Sequence, residues 1–541
     1  MKNILDIAAS LGIDKQYILP YGWDKAKIDL KINERLKDTS DGKLVLVTAI
    51  TPTKAGEGKT TTTIGLHDGL RRIGLKSLAV LREPSLGPVF GIKGGAVGAL
   101  KSTIVPSDDI NLHLNGDFHA LTSTINLIAA IIENSIYQGN ELNIDPNKIV
   151  WTRALDMNDR SLRDITINYH DKKYSGSHHS EFIITVASEL MATFCIADSE
   201  EDFLNRTENI IVAYTFEDKP VYVRDLNIRG AIKKLMHTAL NPNLVQTLEE
   251  NPVLVHGGPF ANIAHGCNSL IATELGLKLA DIVVTEAGFG GDLGAEKFLD
   301  IKCQRAGLKP SCIVLVATIR ALKFHGGVAF EDLDKENIPA IVAGLPNLEK
   351  HYNNLVGYGI PVVVAINVFP SDTETEIRAL GSIFDDDDHK YNWALNTAAL
   401  EGSRGAVRLA EQVRDICTVS DAVRKQAGWE FKPLYDWSEP IKQKIEKICK
   451  QIYGAANVEY SELAEQQISK YTEMGYDKLA ICVAKTPNSL TEDPKILGAP
   501  TGFTIHIREI RLSAGAGFLV PLTGAIMTMP GLPKEPLACK M

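Results

Sequence analysis

The feature that most constrains the fold is a strand-like run that ends in a glycine-rich turn. The segment LVLVTAIT at 44–51 is almost wholly apolar and leads through a short polar linker into AGEGKTTTTIGL at 55–66. Later apolar runs also end in polar turns: SLAVLREPS at 77–85, ADIVVTEAGFG at 280–290, CIVLVATIRALKFHGG at 312–327 and IPVVVAINVF at 360–369. Runs without polar alternation are typical of strands covered on both faces of a parallel sheet. The sequence therefore predicts the α/β class.

The chain length predicts several domains. With 541 residues, the chain exceeds the size at which one hydrophobic core keeps growing. The spacing of the apolar runs tightens near residue 341, and a mixed-charge helix is predicted at 435–454. We therefore predict a large parallel-sheet domain at 1–340, a second α/β domain at 341–420 and a C-terminal α/β domain at 421–541.

Composition and charge exclude several classes of function. A net charge of −10 argues against a nucleic-acid-binding protein, which needs a basic surface. No apolar stretch reaches the length that a membrane span requires, so no membrane partner is expected. The eight cysteines are scattered without any CxxC pair, a pattern that favours reduced thiols in a cytoplasmic protein over a disulfide framework or a zinc site.

The turn after the first run has the composition of a phosphate-binding loop. Glycines allow backbone N–H groups to converge on phosphate oxygens, and the start of the following helix adds its positive dipole end. The strict GxxxxGK[ST] pattern is not met, because Thr53 stands where the first glycine belongs; KAGEGKT instead resembles the variant form K-G-G-x-G-K-[ST]. The predicted nucleotide-binding residues are Gly56, Glu57, Gly58, Lys59, Thr60 and Thr61. Lys59 would bridge the terminal phosphates of ATP, and the Thr60 hydroxyl would bind Mg²⁺.

Two further strand ends carry charged residues that point to the same site. Arg82 and Lys93 flank a turn rich in glycine and proline, just after the run at 77–81. The carboxyl ends of neighbouring parallel strands share one crevice, so Arg82 should face the end of the triphosphate. A guanidinium there suits a small carboxylate or an acyl phosphate. Glu286 ends another run, where an acid can hold Mg²⁺ through water.

Many such segments occur together in one known family. The chain resembles the formate–tetrahydrofolate ligases, also called formyltetrahydrofolate synthetases, over essentially its whole length. The matching segments include TPTKAGEGKTTT, LREPSLGPVFGIKGGA, DINLHLNGDFHA, VHGGPFANIAHGCNS, VATIRALKFHGG and IMTMPGLPK. The resemblance implies a homotetramer of three-domain α/β subunits, with the P-loop domain first.

The resemblance also implies a reaction and its partners. Formate and ATP would give formyl phosphate, and N10 of tetrahydrofolate would attack it to give 10-formyltetrahydrofolate, ADP and phosphate. In this scheme Lys59 stabilises charge on the transferring phosphoryl group, and Arg82 holds formyl phosphate. A requirement for a monovalent cation is left open.

The chain departs from the family mainly where the folate is expected to bind. The family stacks the aromatic part of folate between a phenylalanine and a tryptophan. Phe369 matches the first, but alignment of EGSRGAVRLAEQV at 401–413 puts Ala399 in place of the second. Losing one face of the sandwich should cost on the order of 1 kcal/mol beyond the lost area. Trp393 would compensate only if the loop is rebuilt.

A second departure lies in the segment that follows Lys93. Where the family reads KGGAAGGGY, this chain reads KGGAVGALK, which introduces Val97, Ala99, Leu100 and Lys101. Bulk at these positions narrows the approach that glycines allow between backbone and ligand.

Three readings of the function follow. The first is an active ligase of formate and tetrahydrofolate with a rearranged pterin site. The second is an ATP-dependent acyl-phosphate ligase for a different amine or a modified folate, with Lys101 placed to meet an extra carboxylate. The third is a nucleotide-binding relative without turnover, motivated by the missing tryptophan.

Overall fold

The computed structural model describes residues 1–91, 97–170, 175–386, 391–524 and 526–540. The strands of the first half are β1 Ile18–Tyr21, β2 Lys25–Ile28, β3 Lys43–Ala49, β4 Ser77–Leu81, β5 Gly98–Ala99, β6 Ser102–Val105, β7 Ile144–Ile149, β8 Arg153–Ala154, β9 Ile165–His170, β10 Ser175–Ser180, β11 Phe182–Ile183 and β12 Ile211–Thr215. Those of the second half are β13 Pro220–Tyr222, β14 Asn243–Thr247, β15 Pro252–Val255, β16 Ile282–Glu286, β17 Cys312–Thr318, β18 Val362–Asn367, β19 Asn392–Asn396, β20 Asn457–Tyr460, β21 Ala480–Ile481, β22 Thr504–Ile507, β23 Glu509–Ser513 and β24 Phe518–Leu522.

The α-helices lie between groups of these strands. They are α1 Ile4–Ser10, α2 Ile32–Leu36, α3 Lys59–Arg72, α4 Leu86–Phe90, α5 Ser107–Leu112, α6 Asp117–Tyr137, α7 Glu189–Ile196, α8 Glu200–Glu208, α9 Arg229–Met236, α10 Leu270–Leu279, α11 Gln304–Ala306, α12 Ile319–His325, α13 Ile338–Val356, α14 Glu374–Phe384, α15 Ala398–Glu401, α16 Val407–Thr418, α17 Asp421–Gln426, α18 Ile441–Lys447 and α19 Glu462–Glu473. Among the described residues, none of these helices combines the length and apolar character needed to cross a bilayer.

A large and mostly parallel sheet forms the centre of the molecule. Its strand order is β1-β2-β14-β15-β4-β16-β3-β17-β18-β19, and the seven strands from β15 to β19 in this order are parallel to one another. Val284 of β16 pairs with Val45 of β3 on one side and with Ala79 of β4 on the other. Other strands form smaller sheets of two or three strands each. The predicted α/β class is confirmed.

Both faces of this sheet are covered, as the apolar runs predict. Successive side chains of a strand point to opposite faces. In β3, Val45 and Val47 pack with Leu66 and Leu70 of α3 on one face. Leu44 and Leu46 belong to the core on the other face, which also takes in α12 and α13. A strand buried in this way needs no polar residue at any alternate position.

The sheet and its core extend beyond the first 340 residues. β18 pairs with β17, and β19 pairs with β18, so the central sheet crosses the predicted boundary at 341. Ile445, Ile481 and Leu519 from the C-terminal part are buried in the same core as Leu44. The division into three domains stays a prediction.

One edge of the sheet collects the functional side chains. The carboxyl ends of β4, β16, β3, β17, β18 and β19 lie at the same edge because these strands run in the same direction. In open α/β sheets, ligands bind outside this edge. Residues that end these strands, or follow them within a few positions, are therefore neighbours in space.

Candidate functional site

The glycine-rich turn between β3 and α3 forms a loop at this edge. Gly56 and Gly58 have φ of 76° and 73°, the left-handed conformation that glycine adopts without strain. Gly58 is the residue from which α3 begins, so the first free N–H groups of the helix face out of the sheet edge. This local geometry is what the sequence predicted for a phosphate cradle.

The buried side chain of Glu57 fixes the conformation of this loop. Its Oε1 accepts a hydrogen bond from the backbone N–H of Thr53 at 2.7 Å. Oε2 accepts from the hydroxyl of Thr318, at the end of β17, at 2.6 Å. The Glu57 carboxylate therefore connects the loop to the end of β17. The backbone of Glu57, and not its side chain, is available to a ligand.

An asparagine pair, which sequence reasoning missed, fixes the same loop from the other side. Asn367 ends β18, and its Nδ2 donates to the carbonyl of Glu57 at 2.7 Å. Its Oδ1 accepts from the Thr62 hydroxyl at 2.9 Å and from Asn396 Nδ2 at 2.7 Å. A Cβ on Gly58 would lie 2.9 Å from Asn367 Nδ2, so glycine is also required there for space. The only signal in the sequence was an amide at the end of an apolar run.

The charged residues predicted from three strand ends do converge. Thr60 donates its hydroxyl hydrogen to Glu286 Oε2 at 2.8 Å. Arg82 Nη2 lies 3.8 Å from Glu286 Oε1. The pKa of Lys59 is lowered by burial, and by the nearby Arg82, against the opposing charges of Glu286 and Glu57. Lys59, Thr60, Arg82 and Glu286 therefore form one group, in which two cations lie near the buried carboxylate of Glu286.

The loops around Arg82 leave its guanidinium a narrow space. A Cβ on Gly288 would lie 2.8 Å from Arg82 Nη1 and 2.7 Å from the Ala261 side chain. Within the part of the chain that the structure describes, Arg82 Nε has no hydrogen-bond partner, although it is buried. The Arg82 guanidinium is thus closely packed, but one of its hydrogen-bond donors has no partner, which suits a residue that binds an anion. Lys93 lies outside the described residues.

A buried polar network supports the strand end that leads into the loop. The Thr51 hydroxyl lies 2.9 Å from His351 Nε2 and accepts from Asn347 Nδ2 at 3.0 Å. The Thr51 carbonyl lies 2.9 Å from His325 Nε2. Asn347 Nδ2 also donates to the carbonyl of Gly498 at 2.8 Å. Burial lowers the pKa of His351 to about 4, so this histidine is neutral at pH 7.

Phe369 lies two residues beyond β18 and already has a partner on one face. The Arg320 guanidinium carbon lies 3.7 Å from the centre of the Phe369 ring. The backbone N–H of Phe369 donates to Asp372 Oδ2 at 2.8 Å, which fixes the loop. A planar ligand can therefore stack only on the face of Phe369 that Arg320 leaves open.

The residues that the sequence analysis expects to depart from the family pattern lie together. The backbone N–H of Lys101 donates to the carbonyl of Ala399 at 3.0 Å. Leu100 is 67% exposed with a φ of 51°, whereas Val97 is buried. These contacts bring the altered segment after residue 96 against the turn that carries Ala399.

Trp393 does not fill the place of the missing indole. Its ring packs edge-to-face on Phe384 of α14, with ring centres 5.6 Å apart, and its Nε1 donates to Asp385 at 2.9 Å. Trp393 packs on the same core as Leu44, whereas the neighbouring Ala394 points to the core that contains α3. Ala399 follows on the α3 side, where Ala398 packs against Gly65. The indole would have to cross the sheet to substitute.

The site offers oxygen ligands for a hard cation. Among the described residues, no group of three or more histidine, cysteine or acidic side chains is arranged to hold a metal ion. The Thr60 hydroxyl and the Glu286 carboxylate nevertheless lie side by side next to the cradle. Oxygen ligands of this kind, completed by water and phosphate, are what Mg²⁺ prefers.

Two comparisons with known proteins show the family of the chain. A family model described as formate–tetrahydrofolate ligase matches residues 1–541. A relative from Pelagibacter ubique (strain HTCC1062), named formate–tetrahydrofolate ligase, is 52% identical over 540 residues, which are 99% of this chain and 95% of the relative. The chain therefore belongs to the formate–tetrahydrofolate ligase family.

Proposed function

We propose that this protein joins formate to tetrahydrofolate at the expense of ATP, through formyl phosphate, and releases 10-formyltetrahydrofolate, ADP and phosphate. The observation that carries the proposal is the convergence of Lys59, Thr60, Arg82 and Glu286 at one end of the parallel sheet, in a chain of this family. A cradle for the triphosphate and a separate guanidinium for the acid are what such a reaction requires.

The nucleotide side needs little chemistry beyond positioning and charge. The N–H groups at the start of α3 would bind phosphate oxygens, and the Lys59 ammonium would meet the transferring phosphoryl group. Burial lowers the pKa of Lys59. The negative charge of a bound phosphate would raise this pKa again, so Lys59 would be a charged ammonium when it meets the phosphoryl group. Mg²⁺, held by Thr60 and through water by Glu286, would neutralise charge that develops on the phosphate oxygens.

Arg82 would take the acid partner. Formate is a poor electrophile, and its phosphorylation creates a good leaving group on the carbonyl carbon. The guanidinium can hold the resulting acyl phosphate by two parallel hydrogen bonds. Because formyl phosphate hydrolyses readily, the site would have to exclude water while this intermediate is bound.

The acceptor would lie between Phe369 and the turn at Ala399. Tetrahydrofolate would stack on the open face of Phe369, with Arg320 behind the ring. Since position 399 carries a methyl group in place of an indole, the second face of the sandwich is absent. We therefore infer a weaker hold on the folate than on the nucleotide.

The decisive experiment measures formate-dependent ADP release with and without tetrahydrofolate. We expect release that depends on both substrates, and an Arg82→Ala variant that loses it while ATP still binds. An equal loss of ATP binding and turnover would show that Arg82 belongs to the nucleotide site instead. ATP binding without ADP release under any condition would contradict the proposal.

A second candidate keeps the activation of formate and changes the acceptor. Lys101 is exposed and its backbone contacts Ala399, so its ammonium is available to an additional carboxylate on a modified folate or another amine. ADP release that responds to such an amine, and not to tetrahydrofolate, would favour this candidate.

A further inference from the structure

The turn at residues 397–403, called here the acceptor turn, is held at its backbone by two other loops. The Ser102 hydroxyl donates to the carbonyl of Ala398 at 2.9 Å, and the N–H of Lys101 donates to that of Ala399. On the far side of the turn, the N–H of Ser403 donates to Glu249 Oε1 at 2.6 Å. The first two contacts come from the β5–β6 hairpin, and the third comes from a single side chain.

Glu249 lies in the 247–251 turn between β14 and β15, and this turn is tied to the P-loop helix. Asp68 in the middle of α3 accepts from the Thr247 hydroxyl at 2.8 Å and from Asn251 Nδ2 at 2.7 Å. Asp68 is buried, so these two contacts replace the water that its carboxylate has lost. The helix that begins at the phosphate cradle therefore fixes the loop that carries Glu249.

The backbone of the acceptor turn is shaped to accept this carboxylate. Gly402 has φ 67° and ψ −148°, a combination that is essentially restricted to glycine. A Cβ at this position would lie 2.5 Å from Glu249 Oε1. The side chain of Glu249 thus occupies the space that the absence of a Cβ leaves, directly against the N–H that it binds.

The opposite end of the acceptor turn is fixed at the nucleotide site. The N–H of Ala398 donates to Asn396 Oδ1 at 3.3 Å, and Asn396 in turn bonds Asn367, which holds the Glu57 carbonyl. Ala399 therefore lies between one anchor at the P-loop and a second anchor at Glu249. Residues 399–403 also keep hydrogen bonds within the turn, from the N–H groups of Leu400 and Glu401 to the Thr397 carbonyl, and a longer one at 3.4 Å from Arg72 to the Ser403 hydroxyl. Glu249 is the contact that fixes the Ser403 backbone N–H.

From these contacts we propose that Glu249 is a positioning residue of the acceptor site, which fixes the acceptor turn so that the ring system of the folate meets residue 399 and the open face of Phe369. The inference rests on the proposed function. It predicts that Glu249 affects the binding of the acceptor, while the affinity for the nucleotide, whose loop has its own supports at Asn367 and Thr318, is left unchanged.

The test compares Glu249→Ala with Glu249→Gln and with Glu250→Ala as the matched control. Glu250 lies next in the same turn, but its carboxylate pairs with Lys2 and the N-terminal amine and not with the acceptor turn. Removal of one charged hydrogen bond should raise the KM for tetrahydrofolate roughly three- to tenfold. The KM for ATP should stay within about twofold. Glu249→Gln keeps a side-chain carbonyl of the same reach, so it should restore most of the loss.

Hydrogen exchange supplies a readout that needs no substrate. The Ser403 amide should exchange faster in Glu249→Ala than in the wild type or in Glu250→Ala. Unchanged exchange and an unchanged KM for tetrahydrofolate would overturn the inference alone. Equal increases in the KM for ATP and for tetrahydrofolate would also overturn it, since they indicate a general structural role. Absence of turnover with tetrahydrofolate in the wild type would instead overturn the proposed function, and this inference with it.

Discussion

The nucleotide side and the acceptor side of the candidate site are held in different ways. On the nucleotide side, buried side chains bond one another: Glu57 binds Thr318, Glu286 binds Thr60, and Asn367 binds Thr62. On the acceptor side, the contacts of residues 398 and 399 run through backbone carbonyls, while Leu100 and Leu400 are exposed. A substitution on the nucleotide side leaves a buried polar partner unpaired, whereas a change of side chain at residue 398 or 399 leaves the hydrogen bonds to their backbone carbonyls intact. The comparison therefore predicts that substitutions are better tolerated at residues 398 and 399 than on the nucleotide side.

The largest effect expected from this comparison comes from Lys59. Lys59→Met should lower formate-dependent ADP release by about 10²- to 10³-fold, because it removes the cation that we propose stabilises the transferring phosphoryl group. The matched control is Lys54→Met, an exposed lysine in the same loop, which should retain activity. Similar losses in both variants would mean that the loop, and not the ammonium of Lys59, carries the effect.

The buried carboxyl of Asp68 in α3 should make the stability of the protein depend on pH. Burial raises the pKa of Asp68 to about 7, although hydrogen bonds from Asn251 and Thr247 oppose the rise. The folded protein therefore holds a proton that the unfolded chain has already released. The stabilising contribution of this proton is complete below the unfolded pKa near 4 and is lost as the pH rises through about 7.

Asp68→Asn removes this titration while it keeps an acceptor for both donors. The free energy of unfolding of the wild type, relative to that of the variant, should fall by roughly 3 kcal/mol between about pH 5 and about pH 8. Chemical unfolding at a series of pH values measures this difference. Parallel curves for the two proteins would show that Asp68 keeps an ordinary pKa in the folded state.

Asn367 should give a smaller and more selective effect. Asn367→Ala removes the donor that holds the Glu57 carbonyl and the acceptor for Thr62, so ATP should bind about tenfold more weakly in titration calorimetry. Asn353→Ala, which removes an exposed amide from α13, is the control and should bind ATP normally. An unchanged affinity in Asn367→Ala would mean that the cradle keeps its shape without the asparagine pair.

The smallest effect expected is a gain on the acceptor side. Ala399→Trp restores an aromatic face and should lower the KM for tetrahydrofolate about fivefold, a change equivalent to about 1 kcal/mol. Ala399→Leu adds bulk without an aromatic ring and should not produce this gain. If both variants behave alike, the missing indole is not what distinguishes this acceptor site.

The sequence predicted those parts of the fold that depend on interactions between residues close together in the chain. The glycines at 56 and 58, the helix at 59–72 and the strand at 43–49 follow from residues that are adjacent in the chain. Arg82 and Glu286 could be placed at one edge because the direction of parallel strands brings their ends together.

The supports of the site could not be predicted, because their partners are far apart in sequence. Asn367 meets Glu57, Glu249 meets Ser403, and Arg320 covers Phe369 only after the sheet has assembled. The run at 360–369 shows the same limit. Its strand was predicted, but no residue within the run indicates that the strand pairs with β17 in the central sheet.

The hydrogen bonds around Thr51 bear on how far this protein can be shortened. The carbonyl of Gly498 and the side chains of His325, Asn347 and His351 meet behind the entry to the nucleotide loop. A truncation that ends before residue 498 would strip one partner from Asn347 at that point, even though it removes no residue of the loop. A fragment cut from the first half of the chain to bind nucleotide would therefore lack some of the hydrogen bonds that support the strand end before the glycine-rich loop. Engineered termini are better placed where they leave these contacts intact.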